Sequence, residues 1–503
     1  MNVVEQLWDP ASEPSGGDEA GPPALITTSG ALTRAELRER SERWRADLAA
    51  AGIERGDRVV LIAGNGELFV VAYLALLGLG AVTVPLNPQS PPAELRREVD
   101  DVVPRAAIVE PAVLVAAGEA GAEALLGPSV PVIDVATLGS GEPMAARSVD
   151  PDDPAVLLFT SGTAGMPKPA VLTHLNLASA MASMVSLPVD LIGAGHVALA
   201  VIPLFHVFGL HTVINLGTRI GATLVIDDFL GADHVADLVD RHGVTLLVGP
   251  PAMWQVLAGA DGLDAEAFAS VKLAISGAAK LDPGLRARVA ERLGLTLDEG
   301  YGLTETCAVA ASSVGIEAPA GSVGHLMPGI EARLVDGDGR DVLVGDAGEV
   351  WARGPMVSPG YFTVEADGRA RLVSNRDEDG WLRTGDVAVV DDGGFLSIVD
   401  RAKDLVIVSG FNVYPGEVEV VLQRHPAVAE AAVVGEADAD TGEALVAHIV
   451  LAGAAAEAGE APVDELLAHC RHQLARYKVP RRVEVHDVLP RGLAGKLRRL
   501  ELR

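Results

Sequence analysis

The chain has 503 residues, 49% of them apolar, and a formal charge of −30; it is long enough to fill more than one hydrophobic core. That charge opposes general binding to nucleic acid or anionic membranes, because the summed field repels phosphate, so any phosphate site has to be made locally. Two cysteines, Cys307 and Cys470, stand far apart without the Cys/His spacing of a zinc site, which is the usage of a reduced, cytoplasmic protein.

The first residues lack a basic region followed by an apolar one, so no secretory signal is expected. After a Pro/Gly-rich start, Leu25-Ile26-Thr27 reads as a strand, and Thr33 caps an amphipathic helix running through Leu37, Trp44 and Leu48 to Gly52. Strands are expected at 57–62, 81–85, 106–109 and 130–133, with a helix at 68–77; this alternation implies a largely parallel sheet. Residues 68–86 carry no charge and are long enough to span a bilayer. Gly78, Gly80 and Pro85 break the run and no Lys or Arg flanks it closely, so it reads as core. Further strands are expected at 155–158, 170–172, 197–203, 223–226, 246–249 and 273–276. Several end in small residues, where open α/β sheets place their ligands. From about Gly321 the pattern turns to short strands and turn pairs such as Asp336-Gly337 and Asp392-Gly393. Residues 404–503 read as a small α+β module: helices at 415–425 and 463–474, strands at 428–434, 444–450 and 483–485.

Between two of these strands lies Phe159-Thr160-Ser161-Gly162-Thr163-Ala164-Gly165-Met166-Pro167-Lys168-Pro169-Ala170. Gly162 and Gly165 let backbone N–H groups turn toward an anion, Thr160, Ser161 and Thr163 add hydroxyl donors, and Lys168 adds a positive charge. The spacing is not that of a Walker A loop, which needs four residues between its glycines and a helix directly after its Lys-Ser/Thr pair. Four further clusters follow. Glu299-Gly300-Tyr301-Gly302-Leu303-Thr304-Glu305-Thr306 offers an aromatic face between glycines, then a hydroxyl and a carboxylate able to reach phosphate and a hydrated Mg²⁺. Gly380 to Asp386 holds a carboxylate after a tight turn. Asp400-Arg401-Ala402-Lys403-Asp404 precedes Val408-Ser409-Gly410-Phe411-Asn412-Val413-Tyr414-Pro415, and Pro490-Arg491-Gly492-Leu493-Ala494-Gly495-Lys496 closes the series. Singly, each could be a turn or a solvated charge cluster.

Together and in this order they resemble the adenylate-forming superfamily of acyl-CoA synthetases, adenylation domains and luciferases, over nearly the whole chain. Residues 203–210, 408–415 and 495–503 look most like medium- and long-chain fatty acyl-CoA synthetases, although aryl-CoA ligases share much of them. The resemblance implies an α/β fold: a large domain, 1–399, of parallel and mixed sheets flanked by helices with a β-rich part, a hinge at 400–403, and a small mobile α+β domain, 404–503. It implies ATP, Mg²⁺ and coenzyme A, or a phosphopantetheine-bearing carrier protein, as cofactors and partners. By resemblance, Thr160, Ser161, Gly162, Thr163, Gly165 and Lys168 cradle the β- and γ-phosphates. Gly300, Tyr301 and Gly302 hold adenine, Thr304 binds phosphate, Glu305 holds Mg²⁺, and Asp386 and Arg401 bind ribose. Lys496 bridges the substrate carboxylate and α-phosphate. His206, Ser276, Gly277, Ala278, Ala279, Val323 and Gly324 border the acyl pocket, Lys403 is the hinge, and Ser409, Gly410 and Phe411 border the thiol tunnel.

The sequence departs from the family pattern at Ala164, at Pro169, which lacks an N–H, and at Lys280. The tail 471–503 holds ten Lys/Arg and three Asp/Glu, a local charge of +7 that suits CoA or an acidic carrier protein. The leading expectation is an ATP-dependent carboxylic acid:CoA ligase acting through an acyl-adenylate, with a fatty acid favoured. The alternatives are an adenylating enzyme that passes its acyl group to a carrier protein or another nucleophile, and an inactive nucleotide- or acyl-binding homologue.

Overall fold

The computed structural model describes residues 2–8, 21–118, 121–160, 167–189, 195–279, 281, 283–336, 339–365, 368–401, 406–413, 415–452, 455, 461–490 and 502; the side chains of 399–401, 412 and 416 fall outside the description.

The expected alternation yields two large sheets with parallel interiors. In one, strands Leu297–Tyr301, Leu273–Ser276, Leu246–Gly249, Val197–Ala200, Thr223–Ile226 and Pro23–Thr27 run parallel in that order, with antiparallel strands at both edges. In the other, Pro154–Thr160, Val82–Leu86, Arg58–Ile62, Ala106–Val109 and Val132–Ile133 are parallel, and Lys168–Thr173 folds back antiparallel on Pro154–Thr160. Most of these strands are largely apolar because helices cover both faces; Leu297–Tyr301, at the end of its parallel run, instead carries Asp298 and Glu299.

The helix Glu67–Leu79 fills the space between the sheets. Residues Phe69 to Leu79 are all buried, which explains an apolar run without amphipathic periodicity. Its left-handed C-cap is Gly80. Among the described residues no helix is long and apolar enough to cross a membrane. Helices Arg34–Ala50 and His174–Val185 join it. Thr33 caps the first in a capping box with Glu36, and Thr173 caps the second with Asn176. Helices Ala232–His242, Pro251–Gly259 and Pro283–Leu293 pack on the outer face of the first sheet, and Pro92–Val102 and Gly121–Leu126 on that of the second.

The β-rich part is an antiparallel sheet of Glu331–Val335, Gly348–Arg353, Leu382–Val390 and Leu396–Arg401. The strand Leu396–Arg401 carries the chain into the expected hinge; Lys403 lies outside the described residues. The small module has its own core, in which helices Pro415–Gln423 and Val463–Gln473 cover strands Val406–Val408, Val428–Asp438 and Gly442–Leu451. Cys307 and Cys470 are free and buried; burial pushes the Cys470 thiol up to about 12.

The structure departs from the sequence reading at one place near the site. The strand expected over 197–203 ends at Ala200, and Phe208–Asn215 forms a π-helix. Gly209 permits this path: a Cβ there would stand 2.4 Å from the Pro203 carbonyl oxygen.

Candidate active site

The hairpin of Pro154–Thr160 and Lys168–Thr173 places Thr160 opposite Lys168, so the loop joining them leaves and returns at one spot. Ser161, Gly162, Thr163 and Gly165 lie outside the described residues. Thr160 Oγ1 donates to Glu305 Oε1 at 3.2 Å, and the Tyr361 hydroxyl donates to the same oxygen at 2.7 Å. Lys168 Nζ lies 5.7 Å from the centre of the Tyr361 ring. The Thr160 hydroxyl thus bonds the Glu305 carboxylate, and Lys168 stands over the ring of the tyrosine that bonds it too.

Glu305 is presented by a single 3₁₀ turn, Thr304–Thr306, in which the Leu303 N–H donates to Thr306 Oγ1 at 2.9 Å. The chain then reverses through Cys307 and Ala308, both at positive φ. Gly302 makes the reversal possible, since a Cβ there would stand 2.2 Å from the Ala308 carbonyl oxygen. At Gly300 a Cβ would meet nothing within 4 Å, so the backbone there leaves open space. The Tyr301 hydroxyl donates to the buried Asp386 carboxylate at 2.8 Å, and Asp386 is paired in register with Arg401 on the neighbouring strand.

His206 borders three cavities at once. The first, about 100 Å³, is walled largely by apolar side chains, among them Met184, Leu187, Phe208, Leu216, Val309 and Met327. The second, about 110 Å³, holds Thr160, Thr304 and Glu305 at one end and Glu94, Glu98 and Lys478 at the other. The third is a narrow passage of about 40 Å³ past Pro250, Ala278, Ser409, Gly410 and Phe411. His206 is therefore the junction of an apolar space, a polar space and a channel. Burial drops its pKa to about 4, so the imidazole is neutral at physiological pH. The Phe208 N–H donates to Nδ1 at 3.3 Å, which puts the proton on Nε2.

The small module closes the channel. Strands Val406–Val408 and Phe411–Val413 form a hairpin whose two turn residues, Ser409 and Gly410, have φ of +52° and +81°, as a type I′ turn requires. The turn reaches so deep that a Cβ on Gly410 would stand 2.7 Å from Pro250 Cβ. Phe411 sets its edge toward His206 at 6.4 Å and stacks on Tyr477 at 4.2 Å. Outside this turn lies a groove of about 1080 Å³ between the module and residues 88–125. Val408, Ser409 and Phe411 border it, as do Arg471, Arg476 and Arg481 of the basic tail.

Of the expected acyl-pocket residues, His206, Gly277 and Ala278 line the apolar cavity, and Ser276, Ala279, Val323 and Gly324 are not among its lining residues. Val323 is buried with Tyr301, Val350 and Leu396, and Gly324 lies against the Ser312 backbone, where a Cβ would stand 1.9 Å from the carbonyl oxygen. Ser276 is buried on its strand. Lys280, Lys496 and the Arg401 side chain lie outside the described residues. The residues that wall the cavity instead come from the helix His174–Val185, from the π-helix and from the segment after Glu305. Their only sequence signal is generic apolarity.

Glu305 is a hard oxygen donor beside the loop expected to hold phosphate, the donor type Mg²⁺ takes when phosphate and water complete its shell. Among the described residues the cluster of metal-ligand type is His448, Glu484 and His486, on the small module and lining none of these cavities; its imidazoles do not suit Mg²⁺.

Comparison with known proteins places these observations. Residues 17–362 match the family model of the AMP-binding enzyme, and residues 417–496 match that of the AMP-binding enzyme C-terminal domain. The long-chain-fatty-acid–CoA ligase of Yersinia pestis is 32% identical, over 96% of this chain and 92% of its own. The o-succinylbenzoate CoA synthetase of Bacillus subtilis, solved with a product analogue, is 29% identical with a TM-score of 0.84, covering 100% of this chain and 98% of the other. ATP-bound MatB from Rhodopseudomonas palustris is 30% identical at the same coverage, with a TM-score of 0.69. The chain belongs to the AMP-binding enzyme family.

Proposed function

We propose that the protein is an ATP-dependent carboxylic acid:CoA ligase. In the first step an oxygen of the acid's carboxylate attacks the α-phosphorus of ATP and the bond to pyrophosphate breaks. In the second, a thiolate attacks the acyl carbon and AMP leaves. A free carboxylate repels nucleophiles and has no viable leaving group; transfer to AMP removes both obstacles. The protein's part is to position reactants and neutralise charge.

Thr160, Lys168 and the loop between them would hold the β- and γ-phosphates. Thr304 would bind phosphate, and Glu305, already oriented by Thr160 and Tyr361, would hold the Mg²⁺ that offsets phosphate charge. Asp386 would accept the ribose hydroxyls alongside its bond from Tyr301, whose ring would carry adenine. Lys496 would meet the substrate carboxylate and α-phosphate during adenylation. The acid's tail would lie in the apolar cavity with its carboxyl at His206, whose Nε2–H would donate to a substrate oxygen. CoA would lay its phosphates along the arginines of the groove and pass its thiol over Gly410.

The observation that carries this reading is the position of His206, which borders an apolar space, the space that holds the Glu305 carboxylate, and a small cavity sharing Ser409 and Phe411 with the basic groove. The seating of the Gly410 turn supports assignment of this conformer to the thiol step, with the small module withdrawing Gly410 and presenting Lys496 in the other. The drop in TM-score from 0.84 to 0.69 at nearly equal identity is what a different angle between two like domains would produce. The wall of Met, Leu, Val and Phe side chains supports an aliphatic acid over an aromatic one.

A panel of aliphatic and aromatic acids, scored by pyrophosphate release with and without CoA, tests this. Release that needs the acid and is accelerated by CoA is expected, strongest for aliphatic acids. Acid-dependent release indifferent to CoA would instead favour a carrier protein or another acceptor, and none at all a non-catalytic binder.

A further inference from the structure

The seam between the small module and the large domain contains a buried ionic cluster to which the reaction scheme gives no task. Glu94, on the helix Pro92–Val102, is 1% exposed. One of its oxygens accepts from Lys478 Nζ at 2.6 Å and the other from the Ala475 N–H at 2.6 Å, both donors belonging to the small module. Lys478 Nζ also donates to Glu417 Oε1 at 3.1 Å, and Arg97 Nη2 stands 3.5 Å from that oxygen. Glu98, one helical turn from Glu94, is buried beside them.

Burial works against the Lys478 ammonium, but Glu417, Tyr477, Glu94 and Glu98 outweigh it and hold its pKa well above the usual lysine value. Burial and then Glu94 push the Glu98 carboxyl up to about 8, against the opposing pull of Lys478 and Arg97. With Glu98 protonated, Glu94 and Glu417 face the cations of Lys478 and Arg97; burial raises the Glu417 carboxyl as well, against the pull of Lys478. The cluster is coupled to the thiol channel: Tyr477, next to Lys478, stacks on Phe411, and Phe411 faces His206.

We infer that Glu94 and Lys478 form an interdomain latch, and that Lys478 is a positioning residue which seats the Ser409-Gly410-Phe411 turn for the thiol step. This inference rests on the ligase reading and its two conformers. The physical choice of ions fits a joint that must open. A large apolar seam would be strongly favoured closed, whereas a buried ion pair gains little net free energy over its hydrated state. Once both partners are present it specifies one seating geometry, and removing one partner leaves a buried charge uncompensated.

The test uses the full chain with Glu94→Ala, Lys478→Met and the charge-retaining Lys478→Arg. Two half-reactions are measured: acid-dependent ATP–pyrophosphate exchange, and single-turnover acyl-CoA formation from preformed acyl-adenylate. In Glu94→Ala and Lys478→Met the second is expected to fall roughly a hundredfold while the first stays within about twofold, and Lys478→Arg should recover most of the loss. Equal loss of both halves, or loss of neither, would overturn the latch. A second readout needs no turnover and decides the case should Lys478→Met fail to fold. Because the Ala475 N–H is held by Glu94 across the seam, its hydrogen exchange should be slow in the native chain and at least about tenfold faster in Glu94→Ala; unchanged exchange would overturn the proposal. A native chain inactive in both half-reactions would count against the ligase reading, whereas the exchange result judges the latch alone.

Discussion

The apolar cavity and the interdomain seam border the same histidine and are built by opposite means. Around the cavity, Met184, Leu187, Phe208, Leu216 and Val309 pack on the helices and strands of the large domain's main core. At the seam the contacts are the buried Glu94 with the buried Lys478, the buried Glu417 with the partly exposed Arg97, and one glycine turn pressed on Pro250. Apolar packing gains free energy over a broad area and holds a fixed shape. Paired charges gain little net free energy but tolerate only one arrangement. Under the ligase reading, the cavity as a substrate pocket would need the first property, and a small module that docks and leaves would need the second.

The sharpest way to break this contrast is at Lys496, which the ligase reading assigns to adenylation only. Lys496→Ala should lower acid-dependent pyrophosphate exchange by about a thousandfold yet leave thioester formation from preformed acyl-adenylate largely intact. Equal loss in both assays would remove the division of labour between conformers. Next in size is Glu305→Gln, expected to cut pyrophosphate release about a hundredfold and to raise the Mg²⁺ concentration needed for half-maximal rate; an unchanged Mg²⁺ titration would free Glu305 of that role.

In the fixed region, Leu74→Ala on the helix Glu67–Leu79 should cost about 2–5 kcal/mol of stability in denaturant unfolding. The corresponding loss at the seam should appear in half-reaction rates instead. Leu187→Trp should fill part of the cavity and raise KM for long acids about tenfold relative to short ones, and parallel shifts for all chain lengths would place the acid elsewhere.

The smallest effect is a pH dependence. The Glu98 carboxyl is raised above its unfolded value, so its favourable contribution is complete below about 4.5 and is lost as pH rises through about 8. Above that it ionises among Glu94, Glu417, Arg97, Tyr477 and Lys478, adding negative charge beside two other acidic side chains. Glu98→Gln should therefore outperform the native chain in the thioester half-reaction by a factor of a few at pH 9 and match it at pH 7. A ratio constant across that range would contradict the protonated state.

Most of the fold was legible in sequence because its signals are local. The capping box at Thr33, the apolar parallel strands and the turn pairs of the β-rich part each announce themselves within a few residues. The strands on either side of the glycine-rich loop, and the strand and turn that carry Tyr301 and Glu305, were legible for the same reason. The cavity wall was not: Met184, Leu216 and Val309 converge from separate elements and carry no mark beyond apolarity, which is why Val323 and Gly324, adjacent in sequence and small, were expected there instead. The π-helix over Phe208–Asn215 was hidden because its i,i+5 bonding leaves no distinct composition, and only Gly209 hints at it. Glu94 and Lys478 are 384 residues apart and each reads as an ordinary surface charge. Only docking makes them a pair.

The most direct test of the central claim, that the Gly410 turn seats the thiol and not the nucleotide, is a single-turnover time course with acid, ATP and CoA in a Gly410→Leu variant. A leucine side chain cannot fit where even a Cβ would lie 2.7 Å from Pro250. The account predicts that acyl-adenylate forms at close to the native rate and accumulates while acyl-CoA does not appear. Acyl-CoA formed at the native rate, or adenylate formation lost together with it, would contradict it.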